Sequence, residues 1–227
     1  MNILHTSDLH GGYKKLLLAL KSPNYDLWVD SGDFFPNKTR GDPNIEPAHQ
    51  AKWFGYPSLG GRITEALAGR PMVSVGGNHD FVSLAKLLKV AGAEARDLSG
   101  GPVVLHGKTF AGFREIPWIG GEWAGETHKA DFAPIVEKAM SANPDVLVTH
   151  APPAGILDDD GCGDFGHGFG IGALTTALTY GEHRVQAHLF GHIHAQGGKS
   201  IEELGVKFFN GSTGINLIPV EVSLSVV

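Results

Sequence analysis

The amino-acid sequence predicts an α/β fold built on mixed β-sheets, and two observations carry this prediction. Along most of the chain, short apolar runs typical of buried strands alternate with segments of helical periodicity. This alternation is typical of parallel strands joined by helices. In the middle of the chain, two strand-like runs flank His106-Gly107-Lys108, which indicates a hairpin and therefore antiparallel pairing as well.

The first half of the chain supplies the alternating pattern. Strands are predicted over residues 3–7, 27–29 and 71–75, and helices over residues 13–20, 48–54, 62–67 and 82–91. Leucines dominate the first helix and give it a wide apolar face. Residues 36–56 form a polar insert punctuated by prolines, and the short helix 48–54 lies within it.

The second half begins with the hairpin and ends with strands. The hairpin strands are residues 102–105 and 109–113, later strands are predicted over 146–149, 187–190, 206–209 and 218–224, and helices over 130–142 and 171–178. Asn143-Pro144 ends the helix 130–142, because proline cannot continue a helix. We find no internal repeat, and the pattern predicts one domain over residues 1–227.

Composition and charge restrict the possible partners. The chain has 227 residues, of which 42% are hydrophobic, with a net charge of −6 and no run of Lys or Arg. We expect no long nucleic acid partner, because such binding depends on neutralising many phosphates. A small anionic substrate stays compatible with the acidic charge, because bound metal ions would dominate the local field.

Cysteine content and the N-terminal residues predict a cytoplasmic location without a membrane partner. The single cysteine, Cys162, excludes an internal disulfide, in keeping with a reducing compartment. The first residues enter a strand directly, without a basic segment or a long apolar stretch, so we expect no signal peptide. No apolar run is long enough to cross a bilayer.

Short polar blocks follow five of the strand-like runs. The blocks are Asp8-Leu9-His10, Gly32-Asp33, Gly77-Asn78-His79-Asp80, His150 and Gly191-His192-Ile193-His194. Ligands of open α/β sheets gather at the carboxyl ends of strands, where these blocks lie. Their Asp, Asn and His side chains are oxygen and nitrogen donors that suit Zn, Mn or Fe. Two such ions activate a bridging water and neutralise charge on a phosphate, so the blocks predict phosphoester hydrolysis.

Each block also has an ordinary structural interpretation when it is taken alone. Asp8 could cap the helix that follows it, Gly32-Asp33 is common in turns, and His79-Asp80 could belong to a capped turn. A single histidine after a strand is often an ordinary buried side chain. The joint occurrence of all the blocks at strand ends favours the metal site.

With these motifs, the whole chain resembles the calcineurin-like metallophosphoesterases. Three further stretches resemble a small, uncapped, phosphodiesterase-like branch of that superfamily, which includes a brain protein and its bacterial relatives. These stretches are residues 149–158, 189–194 and 209–213.

The resemblance implies an α/β/β/α sandwich of four layers with two mixed sheets, and it assigns roles to the polar blocks. It implies that one divalent ion is held by Asp8, His10 and His194, that a second is held by Asn78, His150 and His192, and that Asp33 bridges them. The ligands allow Mn, Fe, Zn or Ni, and a hydroxide between the ions would be the nucleophile. His79 would contact the phosphate and protonate the leaving group, with Asp80 orienting its ring.

Two departures from the family pattern restrict the function. Members often carry an acidic or Asn residue shortly after the bridging Asp, whereas Asp33 is followed by Phe34-Phe35-Pro36, so this outer contact is absent or replaced. Protein Ser/Thr phosphatases would show Asp-Arg-Gly after the second block and Gly-Asn-His-Glu at the third, and neither is present.

We therefore expect a phosphodiesterase that acts on small nucleotides or other small phosphodiesters. A broad phosphomonoesterase and a non-catalytic scaffold of the same fold are the alternatives, and the acidic charge disfavours a nuclease.

Several residues outside the blocks are candidates for shaping the substrate site. Arg40 or Arg62, within residues 36–62, could clamp a phosphate, although a solvated surface loop is the favoured interpretation for either residue alone. Trp118 and Trp123 could stack on a base or an aromatic leaving group, although tryptophan more often packs in a core. His49 also lies within residues 36–62. The glycines around His167 precede the helix 171–178 and could form an anion site, with a surface loop as the alternative. The acidic run 158–160 is interpreted as a solvated turn.

Overall fold

The structure is a computed structural model that describes residues 1–55, 58–161 and 168–220. The first part contains β1 (Asn2–Thr6), α1 (Tyr13–Leu20), β2 (Leu27–Asp30), α2 (Glu46–Gly55), α3 (Leu59–Leu67), β3 (Met72–Ser74), α4 (Leu84–Val90) and β4 (Ala95–Asp97). The second part contains β5 (Val103–Leu105), β6 (Lys108–Phe113), β7 (Ile116–Pro117), β8 (Glu126–Thr127), α5 (Phe132–Met140), β9 (Val146–Thr149), α6 (Gly172–Tyr180), β10 (Ala187–Phe190), β11 (Ser200–Glu203), β12 (Val206–Asn210) and β13 (Ile215–Pro219).

The strands form two large mixed sheets and a small one. The five-stranded sheet has the order β13-β1-β2-β3-β4, in which β1 to β4 are parallel and β13 is antiparallel to β1. The six-stranded sheet has the order β11-β12-β10-β9-β6-β5, with parallel central strands and antiparallel β11 and β5 at its edges. The strands β7 and β8 pair separately. The predicted α/β class with mixed sheets is confirmed.

Three apolar clusters define the order of the layers. The first packs the helices α1, α2, α3 and α4 against one face of the five-stranded sheet and includes Trp28. The second lies between the two large sheets and includes Val29 and Phe110. The third joins α5 and α6 to the outer face of the six-stranded sheet and includes Phe190. Trp28 and Val29 are neighbours on β2 but belong to different clusters, because successive strand side chains point to opposite faces.

The predicted hairpin is present and has a tighter turn than expected. Val103 pairs with Phe110 and Leu105 with Lys108, so the loop consists of His106 and Gly107 alone. Both loop residues have positive φ angles, 49° and 73°. Positive φ at both central positions is the conformation of a type I′ turn, which matches the twist of antiparallel strands.

Some elements differ from the sequence prediction. The last strand was expected over 218–224, but it begins at Ile215 and ends at Pro219, and residues 221–224 lie outside the described residues. Its pairing with β1 starts at Ile215 because a neighbouring strand edge, rather than local hydrophobicity, decides strand extent. The strands β4, β7, β8 and β11 were not predicted, since they are short or carry charged residues.

The helix α3 begins at Leu59, earlier than the predicted residue 62, although Gly60 and Gly61 disfavour a helix. A side chain at Gly60 would meet Phe54 at 2.6 Å, so this glycine allows α2 and α3 to approach closely. None of the helices in the described ranges is long and apolar enough to cross a membrane.

Candidate metal centre

The polar blocks lie together where the carboxyl ends of strands from both large sheets meet. Asp8 follows β1, Asp33 follows β2 and Asn78 follows β3, and these strands are neighbours in the five-stranded sheet. His150 follows β9 and His192 follows β10, which are neighbours in the six-stranded sheet. The predicted position of the blocks at strand ends is therefore confirmed, and the centre spans the junction of the two sheets.

The carboxylate of Asp33 is the point on which the side chains converge. Its Oδ2 atom lies 3.3 Å from Nε2 of His150 and 3.9 Å from Nε2 of both His10 and His79. Asp33 is almost fully buried. One carboxylate oxygen that faces imidazoles from three different blocks is suited to bridging two cations.

The remaining predicted ligands lie on either side of Asp33. On one side, Nε2 of His194 is 3.2 Å from Oδ1 of Asp8, and ligand atoms of Asp8, His10 and His194 all lie within 4.8 Å of one another. On the other side, Nε2 of His150 is 3.0 Å from Oδ1 of Asn78. The rings of His150 and His192 are 5.0 Å apart. The structure thus places the predicted ligands close to one another around Asp33, and their division between two ions remains a prediction.

The backbone at several of these residues has an uncommon conformation. Asp8, His10, Asp33 and His192 have φ angles of 55°, 42°, 57° and 68°. Left-handed conformations of residues other than glycine are costly and concentrate at functional sites. Backbone hydrogen bonds of 2.8 Å from Asp8 to Gly32 and 2.9 Å from His10 to Asp33 stabilise this arrangement. The first two blocks therefore hold each other in place.

Glycines allow the blocks to approach closely. A side chain at Gly77 would collide with the Asp33 carboxylate, and one at Gly191 would collide with the side chains of Ser7 and Asp8. A side chain at Gly32, which has a φ of 104°, would meet the backbone of Gly77. These glycines precede candidate ligands because only a residue without Cβ fits between neighbouring blocks.

Asp80 does not make the predicted contact with the His79 ring. Its Oδ2 atom accepts hydrogen bonds from the backbone N–H groups of Asp33 at 2.7 Å and Gly77 at 3.0 Å, and Oδ1 accepts one from Phe35 at 3.0 Å. Burial and the negative charge of Asp33 raise the pKa of Asp80. The carboxylate is engaged by buried backbone N–H groups, so Asp80 shapes the loop of Asp33 instead of orienting the imidazole.

Asn37 holds the His79 ring instead, and sequence reasoning missed it. Oδ1 of Asn37 lies 2.7 Å from Nδ1 of His79, and its amide nitrogen donates to the His79 carbonyl oxygen at 3.1 Å. The second bond makes Oδ1 the atom that faces the ring, so Nδ1 carries a proton and Nε2 faces Asp33. Asn37 therefore supplies a polar contact shortly after the second block, separated from Asp33 by Phe34-Phe35-Pro36.

The insert supports the third block and does not place an arginine among the ligands. Gln50 of α2 donates to the His79 carbonyl oxygen at 2.7 Å and accepts from the N–H of Phe81 at 2.8 Å. Arg40 faces Glu122 at 3.6 Å at the surface, and Arg62 lies over the ring of Tyr13. Neither arginine therefore takes the alternative role of a phosphate clamp.

The electrostatics of the centre favour a bound cation. Burial opposes ionisation of Asp8 and Asp33, but hydrogen bonding and the charge of nearby histidines hold the pKa of each carboxyl below its usual range. Burial also disfavours a charged His150, yet the Asp33 carboxylate raises the pKa of that imidazole to about 9. Buried carboxylates that draw a proton onto a neighbouring imidazole would equally attract a divalent ion, which displaces that proton.

Burial disfavours the charged form of a second group of histidines. Burial lowers the pKa of His192 to about 4 and lowers that of His79 as well. A neutral imidazole is the form that coordinates a metal ion. His192 therefore suits the ligand role without the loss of a proton.

A cleft of about 370 Å³ opens on the centre. Its lining includes Asp33, Asn78, His79, His192 and His194, together with Ile119, Trp123, Asp160 and Phe169. The Trp123 ring lies 4.1 Å from the His79 ring, whereas Trp118 stacks on His128 at 4.6 Å. The structure therefore distinguishes the two candidate tryptophans, since Trp123 faces the centre and Trp118 does not line the cleft. His167 and Cys162 lie outside the described residues.

The family follows from the sequence match together with this geometry. Residues 1–196 match the family model of the calcineurin-like phosphoesterases, so the chain belongs to this family. Its membership confirms the predicted superfamily and the phosphoesterase class. The assignment to the phosphodiesterase-like branch remains a prediction, and comparison with curated proteins gave no match.

Two solved structures of low sequence identity are similar to the chain. A protein from Staphylococcus aureus described as a 5′-nucleotidase, in complex with α-ketoglutarate, has a TM-score of 0.52 and 14% identity, over 94% of this chain and 49% of that chain. The sulfate thiohydrolase SoxB from Thermus thermophilus, in complex with glycerol, has a TM-score of 0.44 and 12% identity, over 96% of this chain and 55% of that chain. The chain spans about half the length of these proteins.

Proposed function

We propose that this calcineurin-like phosphoesterase is a dinuclear-metal-dependent hydrolase of small phosphodiesters, including small nucleotides. The observation that carries the proposal is the convergence of His10, His79 and His150 on one oxygen of Asp33 at 3.3–3.9 Å. Further oxygen and nitrogen donors lie on both sides of this carboxylate. The arrangement supports two cation sites that share Asp33.

The donor chemistry fits divalent transition metals. Asp8, His10 and His194 would hold one ion, and the second would be held by Asn78, His150 and His192. Mixed carboxylate, amide and imidazole donors suit Mn, Fe, Zn or Ni. When bound, such a pair supplies an activated water and neutralises the negative charge of the phosphate.

His79 is the group proposed to move a proton. Its Nδ1–H is held by Asn37, and Nε2 faces Asp33 and the cleft. In its protonated form, His79 would donate the Nε2 proton to the leaving oxygen as the bond from phosphorus to that oxygen breaks. The neutral imidazole that remains keeps its Asn37 contact, so the ring does not turn during the transfer.

The charge of the cleft supports a diester substrate. The described residues that line it include no Lys or Arg, and Asp160 adds a carboxylate. A phosphomonoester carries nearly two negative charges at neutral pH, and a diester carries one. An arginine-rich cleft would favour the more highly charged monoester over the diester. A cleft without cationic side chains lacks that preference and therefore disfavours the diester less.

The test compares a diester with a monoester that has the same leaving group. We expect the protein loaded with Mn to hydrolyse bis-p-nitrophenyl phosphate with a higher kcat/KM than p-nitrophenyl phosphate. A clear monoester preference with each of Mn, Fe, Zn and Ni would instead assign a broad phosphomonoesterase. Metal-loaded protein that hydrolyses neither compound would support the non-catalytic scaffold.

A further inference from the structure

Apolar side chains border the cleft next to candidate residues of the centre. The Trp123 ring lies against the His79 ring at 4.1 Å, with 36° between the ring planes. The Phe169 ring lies 6.3 Å from the His192 ring and nearly perpendicular to it. Ile119 also lines this cleft, although 39% of its surface is exposed. We call Ile119, Trp123 and Phe169 the apolar wall.

Main-chain contacts hold the backbone around Trp123 in place. The N–H of Ala124 donates to the carbonyl oxygen of Asn78 at 3.0 Å, which ties this loop to a candidate metal ligand. A side chain at Gly41 would collide with the carbonyl oxygen of Glu122, so the insert packs closely against the same loop. A wall that is already ordered loses little conformational entropy when a ligand binds.

The position of Trp123 is not explained by core packing. Trp123 is absent from the clusters that form the apolar core, and it is only partly buried. A pocket with a few polar groups on one side and apolar or aromatic side chains on another is typical of a small-molecule site. Flat rings stack on tryptophan and pack against phenylalanine with little dependence on their exact identity.

We propose that Ile119, Trp123 and Phe169 form a subsite for a flat aromatic ring carried by the phosphoester substrate. This inference rests on the proposed function, because the wall borders the same centre. The shared chemistry of its ligands is a planar ring the size of an aryl group or a nucleobase. The subsite selects substrates by their ester group, whereas the metal centre acts on the phosphate that all of them share.

The experiment uses diesters that share the p-nitrophenolate leaving group and differ in the second ester group. That group is methyl, phenyl or the 5′-oxygen of thymidine. We expect kcat/KM for the phenyl and thymidine esters to exceed that of the methyl ester by about 5- to 150-fold. The phenyl and thymidine compounds separate an aryl preference from a nucleobase preference.

Variants of two tryptophans in one loop locate the subsite. Trp123→Leu should remove most of the preference for ring-bearing esters, mainly through KM, and Trp123→Phe should retain part of it. Trp118→Leu is the matched control and should keep the wild-type preference, because Trp118 stacks on His128 outside the cleft. An equal loss of kcat for all the esters in Trp123→Leu would overturn the subsite and assign Trp123 to positioning His79.

Binding of product-like compounds tests the subsite independently of turnover. Adenosine 5′-monophosphate and ribose 5-phosphate carry the same phosphate and differ in the base. Calorimetry with the metal-loaded protein should show tighter binding of the nucleotide, and Trp123→Leu should remove the difference. Equal binding of the two compounds by the wild type would overturn the subsite, even if the diesters are hydrolysed. If no diester is hydrolysed but this base preference is found, the proposed function fails and the subsite stands.

Discussion

Asp33 is the residue on which the candidate centre depends, because its carboxylate faces ligands of both proposed ions. The substitution Asp33→Asn keeps the size of the side chain and removes its charge. We expect both metals to bind more weakly and activity to fall, since a neutral amide cannot bridge two cations as a carboxylate does. Elemental analysis of metal-loaded protein checks this prediction.

The matched control for Asp33→Asn is Asp26→Asn, which removes an exposed carboxylate that accepts a backbone hydrogen bond from Asn2. That variant should retain wild-type metal content. Unchanged metal content and activity in Asp33→Asn would contradict the bridging role.

His79 is predicted to act on the substrate rather than to hold a metal. His79→Ala should keep both ions and lose about 10²–10⁴-fold in kcat, which is the usual contribution of a general acid. The loss should be smaller for p-nitrophenyl esters than for alkyl esters, because p-nitrophenolate needs little protonation. Steady-state kinetics of metal-loaded variants with both classes of ester provide the measurement.

Asn37→Ala is the companion variant, because it leaves the imidazole in place and removes the group that holds Nδ1. It should lower kcat less than His79→Ala, and Asn37→Asp, which restores an acceptor, should recover part of the loss. If His79→Ala loses its metals but shows normal turnover once they are restored, the general acid role is wrong.

At the scale of elements, the insert after β2 positions the third block, and Glu46 at the start of α2 organises that insert. Its buried carboxylate accepts hydrogen bonds from the backbone N–H groups of Lys38 and Thr39 and from the Thr39 hydroxyl. Burial opposes ionisation, but the bonds from Thr39 and Lys38 lower the pKa of Glu46 below its ordinary value. The loop that carries Asn37 is therefore tied to a charged residue of α2.

We expect Glu46→Gln to destabilise the protein by about 1.5–3 kcal/mol at pH 7, the range for a hydrogen bond to a charged group. Because the folded-state pKa of Glu46 is lowered, this contribution is complete above the unfolded value of about 4.5 and is lost as the pH falls through the folded value. The difference in unfolding free energy between wild type and variant should shrink in acid. Urea titrations at neutral and acidic pH provide the measurement.

Exposed Glu202→Gln on β11 is the control for Glu46→Gln and should unfold like the wild type at both pH values. A difference between wild type and Glu46→Gln that stays constant with pH would show that the ionised carboxylate is not what stabilises the loop.

At the scale of the whole molecule, two fully buried histidines make the stability of the fold depend on pH. His5 on β1 contacts the Ser31 hydroxyl at 2.9 Å, and His188 on β10 contacts the Thr149 hydroxyl at 2.8 Å. Burial lowers the pKa of each imidazole to about 3. Both stay neutral in the folded protein between about pH 3 and 6.5, where the unfolded chain takes up protons.

Stability should therefore fall as the pH decreases from 6.5 towards 3, by about 1.4 kcal/mol per pH unit for each histidine. His188→Gln removes one of these groups and should make the unfolding free energy less dependent on pH over this range. Urea unfolding of the metal-free wild type and variant at several pH values checks the slope. Equal slopes for the two proteins would contradict the prediction.

Local sequence patterns determined most of the elements, because hydrophobic periodicity and helix-stopping residues act over a few neighbouring positions. The helix Tyr13–Leu20 and the strands Val146–Thr149 and Ala187–Phe190 have the predicted bounds. The metal-binding capacity of a side chain depends on its residue type alone. The blocks could therefore be proposed as metal ligands from their residue types and from their positions after predicted strands. Their roles in binding and catalysis remain predictions.

Contacts between distant segments were decided by the tertiary structure alone. Asn37 and His79 are far apart in the sequence, and only the packing of the insert against the third block brings amide and imidazole to 2.7 Å. Tertiary packing also decides the contacts of Asp80, whose carboxylate accepts hydrogen bonds from the backbone N–H groups of Asp33 and Phe35. It likewise decides that Trp123 faces the cleft while Trp118 of the same loop does not. A sequence specifies which side chains are available, but which atoms meet depends on how the two sheets and their loops pack, and no local pattern encodes that.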